Sequence, residues 1–136
     1  MTNLAGLKPR RKAERERFTP KERRFNAWMH DYGRCCLSAR PDFEIAHTGR
    51  IEHGKGMARK ASLNTCLPLQ WLLHKAEERD REGFWSNAGF PGNDRFAWSE
   101  RLFDIFEAGD DPTDLLMDMH ERADLLFVGG ILRGSK

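Results

Sequence analysis

The middle of the chain, from Phe43 to His74, reads FEIAHTGRIEHGKGMARKASLNTCLPLQWLLH. Its first four residues have the composition of a short strand, and residues 65–67 are predicted to form a returning extended segment. The residues between them include three glycines and four Lys or Arg, which is typical of a long loop. A helix is predicted to begin at Pro68 and to run to about Glu82.

Short apolar runs and turn residues also predict structure ahead of this stretch. Residues 35–37 and 43–46 are separated by the turn-forming Arg40-Pro41-Asp42, so the two runs are predicted to pair as a small hairpin. Before them, Thr19-Pro20-Lys21-Glu22 has the capping-box pattern of a helix start, and Gly33 is suited to end that helix. The apolar face of the helix consists of Phe25, Trp28, Met29 and Tyr32.

The second half of the chain is predicted to be mainly helical. Phe84, Trp85 and Phe90 are interpreted as an aromatic lid over the core. Two helices are predicted to follow, the second of them capped by Asp111. Their inward faces comprise Phe96, Leu102, Phe103 and Phe106 in the first helix, and Leu115, Leu116, Met119, Ala123 and Leu126 in the second.

The composition excludes several classes of protein. The 136 residues are 39% apolar and 32% charged, and no stretch approaches the ~20 apolar residues of a membrane-spanning helix. The N-terminus carries cations without an apolar segment, unlike a signal peptide. Three cysteines are too few for a disulfide scaffold, so a reducing, cytoplasmic location is expected. Nine Phe and four Trp indicate an aromatic core rather than a disordered chain.

The formal net charge of +2 conceals an uneven distribution. Residues 1–24 contain nine Lys and Arg and three Glu, whereas residues 100–126 contain nine acids and two Arg. The basic end predicts a DNA partner, because Lys and Arg neutralise phosphates. The acidic helices are interpreted as solvated faces, with a docking surface for a protein partner as the alternative. No membrane partner is expected.

Three residues of the central stretch have the chemistry of a hydrolytic site. His47 ends the predicted strand, Asn64 lies in the loop, and His74 lies on the next predicted helix. One histidine can accept a proton from water, an amide can orient that base, and a second histidine can hold a divalent cation. Such triplets also arise by chance, so ordinary surface or capping histidines are the alternative interpretation.

Residues from about 35 to 85 resemble the HNH-type nucleases encoded by phages and prophages, including the phage recombination-enhancement nucleases. The landmarks follow one order: a cysteine pair, a strand ending in His, a Gly-rich loop, a Pro-Leu pair and a His-bearing helix that ends in Phe-Trp. The resemblance implies an α+β fold with a small ββα-metal unit among additional helices. The counterparts in this chain are residues 35–38, Glu44-Ile45-Ala46-His47, residues 56–63, Pro68-Leu69-Gln70, His74 and Phe84-Trp85.

The resemblance also implies roles for single residues in metal-dependent DNA cleavage. His47 corresponds to the general base and His74 to a metal ligand. Glu78 is four residues after His74 and shares its helix face, so it is a candidate oxygen ligand, with Glu44 as the alternative. Asn64 lies one position from the family's polar residue and is the candidate to orient the base. A site with this small number of protein ligands is suited to Mg²⁺ or Mn²⁺, because these ions keep several bound waters.

Several positions depart from the family pattern. Ser38 and Gln70 stand where the family has zinc-binding cysteines, so a structural zinc is not expected. Ala46 stands at a metal-ligand position, and Leu63 stands at the position of an aspartate. These losses leave two hypotheses, an active endonuclease or an inactive protein of the same fold that binds DNA or a protein.

The predicted organisation is one domain, residues 19–136, preceded by a disordered basic arm at residues 1–18. Within the domain, residues 35–85 form the HNH-like unit and residues 95–128 a C-terminal helical pair. DNA contacts are assigned to cations of the arm and of the Gly-rich loop, where glycines allow close approach to phosphates. These cations are Arg10, Arg11, Lys12, Arg50, Lys55, Arg59 and Lys60.

Overall fold

A short sheet lies in the middle of an otherwise helical chain. The structure, a computed structural model, describes residues 19–49 and 63–134, and the predicted basic arm lies outside them. In this part of the chain, six helices and two strands give an α+β fold, as predicted. The elements are α1 (Pro20–Tyr32), β1 (Glu44–His47), a 3₁₀ turn (Leu63–Thr65), β2 (Cys66–Leu69), α2 (Trp71–Arg79), α3 (Arg81–Ala88), α4 (Asp94–Ala108), α5 (Thr113–Arg122) and α6 (Leu125–Arg133).

Helix α1 begins with the predicted capping box. The Thr19 hydroxyl accepts a hydrogen bond from the Glu22 amide at 3.1 Å, and the Glu22 carboxylate accepts one from the Thr19 amide at 2.6 Å. This reciprocal pair satisfies two amides that have no partner within the helix. Phe25 and Met29 are fully buried on the predicted apolar face, whereas Tyr32 at the end of α1 is exposed.

Strands β1 and β2 pair antiparallel. His47 lies opposite Cys66, and Glu44 lies opposite Leu69. All four residues of β2 are buried, so this strand belongs to the core. The predicted returning segment at residues 65–67 is confirmed in position, and its strand extends to Leu69.

The predicted hairpin between residues 35–37 and 43–46 is wrong. Residues 35–37 lie in a turn, in which the Cys35 amide donates to the Arg40 carbonyl at 2.8 Å. The next amide, that of Cys36, donates to a carbonyl of β2 at 3.0 Å. Because these amides already have partners, β1 pairs with the later strand instead.

The single helix predicted from Pro68 to about Glu82 is also wrong, because Pro68 lies in β2 and two helices follow. Gln70 begins α2, since its side-chain oxygen accepts an amide of the first turn at 2.8 Å. Asp80 is extended, with φ −155°, and its carboxylate accepts the Gly83 amide at 3.1 Å. Asp80 therefore interrupts the helix and caps α3, because a side-chain oxygen satisfies the free amides of a helix start.

Three helices, not the predicted pair, occupy the C-terminal part of the chain. Ala123 is extended after α5, and the Asp124 carboxylate caps α6 by accepting two amides at 3.1 and 3.2 Å. This break changes the direction of the side chains that follow. Leu126, predicted to face inward, is 84% exposed.

The core forms where the sheet meets the helices around it. Leu69 of β2, Leu73 of α2 and Trp85 of α3 are fully buried together. The predicted aromatic lid is part of this core: Phe84 is buried, and Trp85 meets Phe90 edge-on with ring centroids 6.0 Å apart. None of the helices in the described residues is long and apolar enough to cross a membrane.

Helix α4 holds both ends of the segment that joins the two strands. Arg95 is fully buried; its Nε donates to the Thr48 carbonyl at 3.1 Å, and its terminal nitrogens donate to the Glu82 carboxylate at 2.9 and 3.3 Å. One turn later, the Ser99 hydroxyl donates to the Asn64 carbonyl at 2.7 Å. The backbone just after β1 and just before β2 is thus fixed to one helix.

A buried carboxylate connects the end of α2 to the end of β1. Glu77 is fully buried and accepts hydrogen bonds from Arg81 Nε at 2.7 Å and from Trp85 Nε1 at 3.1 Å. Arg81 also donates to the Gly49 carbonyl at 3.3 Å. The far end of α2 therefore lies beside the residues that follow His47.

Candidate functional site

His47 is the last residue of β1, and its ring contacts a cysteine on the paired strand. Nδ1 of His47 lies 3.3 Å from Cys66 Sγ, which is within hydrogen-bond distance for sulfur. Burial raises the pKa of the Cys66 thiol to about 12. The thiol is therefore neutral at physiological pH, and it gives the imidazole ring a fixed, uncharged neighbour.

The sequence assigns the orienting role beside His47 to Asn64. The structure places Asn64 in the 3₁₀ turn before β2, where its carbonyl accepts the Ser99 hydroxyl. The side chain at His47 Nδ1 is Cys66 instead. Sequence reasoning treats Cys66 as a small buried apolar residue, and only the antiparallel register, which sets it opposite His47, signals its position.

His74 lies on α2 between two carboxylates. Its Nδ1 is 2.7 Å from Glu44 Oε1, and its Nε2 is 3.5 Å from Glu78 Oε2. The His74 side chain is 18% exposed, whereas both glutamate side chains are more than half exposed. Glu78 is one turn beyond His74 on the same helix face, and Glu44 reaches His74 from β1. We call these three residues the His74 cluster.

The two ring nitrogens of His74 have different surroundings. The 2.7 Å contact with Glu44 is a short hydrogen bond, whereas the 3.5 Å between Nε2 and Glu78 is longer than a good one. A ligating histidine uses one nitrogen for the cation and donates its other N–H to a carboxylate. The arrangement therefore fits a cation at Nε2 with Glu78 as its oxygen ligand. In residues 19–49 and 63–134, no group of three or more His, Cys, Asp or Glu is arranged to hold a metal ion.

The direction of α2 relates the His74 cluster to His47. Strand β2 ends opposite Glu44, so α2 starts at that end of the sheet. Arg81, just beyond α2, reaches Gly49, just beyond β1. Helix α2 thus runs in the same direction as β1, and Glu78 lies toward the end of the strand that carries His47.

Side-chain alternation along β1 places the two histidine groups on different sides. Successive side chains of a strand point to opposite faces, so Glu44 and His47, three residues apart, face opposite ways. The structure therefore joins Glu44, His74 and Glu78 in one group and His47 with Cys66 in another. Both groups lie beside the same short strand.

The positions that correspond to zinc-binding cysteines make protein contacts. Cys35 is buried, and its Sγ accepts the Ser38 amide at 3.3 Å. Gln70 caps α2 and also donates from Nε2 to the Asp42 carboxylate at 3.1 Å. The hydrogen bond between Gln70 and Asp42 joins the residues before β1 to the start of α2. Burial also raises the pKa of the neighbouring Cys36 thiol well above its usual value.

The remaining predicted contact residues divide between described and undescribed parts of the chain. The acidic side chains of the C-terminal helices are largely exposed, and Glu107 forms an ion pair with Lys21 of α1. The cations assigned to DNA contact lie outside the described residues, and they are Arg10, Arg11, Lys12, Arg50, Lys55, Arg59 and Lys60.

Comparison with known proteins gives no family assignment. No protein-family model, no curated protein and no solved structure matches the chain. The case for a function therefore depends on the residues of the chain itself.

Proposed function

We propose that the chain is an HNH-like, metal-dependent endonuclease that hydrolyses phosphodiester bonds in DNA. The observation that carries the proposal is the His74 cluster, in which one histidine nitrogen is held by Glu44 and the other faces Glu78. His74 and Glu78 lie on the helix that follows a strand pair, and the first strand of that pair carries Glu44 and ends in His47. Strand, strand and helix follow in the order that the sequence resemblance to phage and prophage HNH-type nucleases implies.

The His74 cluster fits a hard divalent cation. His74 Nε2 and the Glu78 carboxylate would be its ligands, and Glu44 would hold the opposite ring nitrogen. Two protein ligands suit Mg²⁺ or Mn²⁺, which complete their coordination with water. When bound, the cation would stabilise negative charge on the phosphate.

His47 is the proposed general base. Hydrolysis requires the attacking water to lose a proton as its oxygen bonds to phosphorus and the leaving oxygen departs. If His47 donates Nδ1–H to Cys66 Sγ, Nε2 carries the lone pair of the neutral ring and is the atom that would accept that proton. Cys66 is then a positioning residue, which fixes the ring and the nitrogen that carries hydrogen.

A second candidate is an inactive protein of the same architecture that binds DNA or a protein partner. Two observations favour it: the described residues hold no three-residue metal group, and alternation places His47 and Glu44 on opposite sides of β1. In that case the cations would contact DNA, or the acidic helices would contact a basic partner. Measurement of cleavage separates the two candidates.

The test of the proposal is nicking of supercoiled plasmid DNA by the full chain. We expect open-circular product in the presence of Mn²⁺ or Mg²⁺ and none in excess EDTA. Product that forms equally well in EDTA would contradict the metal-dependent mechanism. No product with either ion, from a chain that still binds DNA, would favour the inactive candidate.

Removal of the Cys66 sulfur is expected to slow cleavage without abolishing it. The Cys66→Ala variant loses the acceptor at His47 Nδ1, and one hydrogen bond of this kind corresponds to roughly a tenfold lower rate. The Cys66→Ser variant retains an acceptor and should recover most of the rate. Long-range ¹H–¹⁵N spectra of the imidazole rings, assigned with His47→Ala, should show hydrogen on Nδ1 of His47 in the natural chain. Hydrogen on Nε2 would contradict the positioning role, whatever the cleavage rate.

A further inference from the structure

A groove of about 500 Å³ runs between α2 and α6. Trp71, at the start of α2, lines it with 46% of its surface exposed, and Lys75 Nζ lies 5.3 Å from the centre of the indole ring. On the α6 side a side chain at Gly130 would meet nothing within 4 Å, so this wall is open. We call this the Trp71 groove, and its lining residues are Trp71, Leu72, Lys75, Ala76, Arg79, Gly130, Ile131 and Gly134.

The Trp71 groove is positively charged on an acidic body. The described residues include 12 Lys and Arg and 18 Asp and Glu. The groove nevertheless has two cations, Lys75 and Arg79, among its lining residues and no carboxylate. A surface of this kind attracts an anion that also has an apolar face.

A second groove of about 500 Å³, between α4 and α5, provides a comparison within the same molecule. It also combines a tryptophan with two cations, because Arg101 and Arg122 lie 4.7 and 5.7 Å from the ring centre of Trp98. Asp94, Asp118 and Glu121 line it as well. Carboxylates therefore line this groove together with its cations, whereas no carboxylate lines the Trp71 groove.

The Trp71 groove lies next to the His74 cluster on the same helix. Trp71, Lys75 and Arg79 are spaced four residues apart and form one stripe along α2, while His74 and Glu78 form the adjacent stripe. Successive cations on the stripe are separated by about 6 Å along the helix axis. A nucleic-acid strand with one phosphate at the His74 cluster would thus extend along Lys75 and Arg79.

We propose that the Trp71 groove binds a single nucleic-acid strand, with a base stacked on Trp71 and phosphates at Lys75 and Arg79. Single-strand sites combine a basic groove with an exposed aromatic ring, because every base has a face that can stack. The choice of nucleic acid over another anion rests on the proposed function. If the groove binds such a strand, the substrate of the proposed endonuclease is DNA with an unpaired segment beside the cleaved bond.

The test measures binding of a short fluorescein-labelled oligothymidine to the full chain by anisotropy, in EDTA so that no cleavage occurs. We expect Trp71→Ala to weaken binding by about tenfold and Trp71→Phe, which keeps an aromatic face, to restore most of it. The Lys75→Ala/Arg79→Ala variant should lower the salt dependence, log Kd against log salt, by about 1.4. The matched control is Arg101→Ala/Arg122→Ala, which removes two cations beside Trp98 and should have a smaller effect.

Three outcomes would overturn the inference. They are absence of oligothymidine binding, an equal loss in the control and groove variants, and displacement of the oligonucleotide by polyglutamate with no effect of Trp71→Ala. The last outcome would indicate an acidic peptide as the ligand. If the chain binds the oligonucleotide through Trp71 but does not cut DNA, the endonuclease proposal is wrong and the proposed single-strand site in the Trp71 groove is retained. A chain that cuts DNA and is indifferent to Trp71 would refute the groove alone.

Discussion

Replacement of His47 by alanine is expected to lower the rate of metal-dependent DNA nicking by about 10²- to 10⁴-fold, the range typical of loss of a general base. Cys66 Sγ contacts Nδ1 of His47, and the other ring nitrogen, Nε2, is the proposed proton acceptor. Binding of DNA should change little, because the proposed binding groups are cations on other segments. The measurement is the initial rate of supercoiled plasmid loss at saturating Mn²⁺.

His30→Ala is the matched control for this experiment. His30 is exposed on α1, and its ring stacks on Phe43 at 5.3 Å, so its removal takes away an imidazole without touching either proposed histidine group. We expect the control to nick DNA at close to the natural rate. A His47→Ala variant that nicks as fast as the control would exclude His47 as the base.

Replacement of Arg95 by alanine is expected to lower the free energy of unfolding by about 2–4 kcal/mol, through lost hydrogen bonds to a charged group and the cavity that remains. Arg95 is fully buried and donates to Thr48 and to Glu82. Its loss leaves the Thr48 carbonyl without that donor beside the end of β1. Glu82 is half-exposed and can be solvated, so the loss should be smaller than for two buried partners.

The control for Arg95 is Lys21→Ala, which removes an ion pair with Glu107 in which both side chains are nearly half-exposed. Exposed pairs contribute at most about 1 kcal/mol, so this variant should be close to the natural chain. The comparison uses urea unfolding followed by tryptophan fluorescence. Equal stabilities for the two variants would contradict the role given to Arg95.

Local patterns in the sequence predict the parts of the fold that depend on neighbouring residues. The capping box at Thr19 and Glu22 is one such pattern, because both partners lie within one turn. The partner of β1 is not local. Residues 35–37 are as apolar as β2, so composition does not show which of the two segments pairs with β1. The tertiary hydrogen bond from the Cys36 amide to β2 distinguishes them.

Helix breaks were harder to predict than helix starts. Asp80 separates α2 from α3, Ala123 and Asp124 separate α5 from α6, and each aspartate caps the helix that follows it. The apolar pattern continues across both breaks while the chain changes direction. An acidic residue alone does not predict a helix break, because other aspartates and glutamates of the chain lie inside helices. Leu126 is exposed for this reason, although its spacing suits the buried face of a longer helix.

The candidate site could be predicted where its residues share a helix or were suggested by the family resemblance. His74 and Glu78 are one turn apart, and Glu44 was the alternative oxygen ligand. Cys66 and Arg95 were missed, since their partners lie 19 and 47 residues away in the chain. Pairings of that length follow from the register of the sheet and the packing of α4, which no local pattern encodes.

The most direct test of the proposed site is a titration of the metal-free chain with Mn²⁺, in which electron paramagnetic resonance measures the ion that remains unbound. We predict one Mn²⁺ per chain, loss of binding in His74→Ala, and roughly 10- to 100-fold weaker binding in Glu44→Gln, whose carboxylate holds the other ring nitrogen. The control is His120→Ala, which removes a histidine that is hydrogen-bonded to the Leu37 carbonyl and should leave Mn²⁺ binding unchanged. Unchanged Mn²⁺ binding in His74→Ala, or no binding by the natural chain, would contradict a metal site at His74.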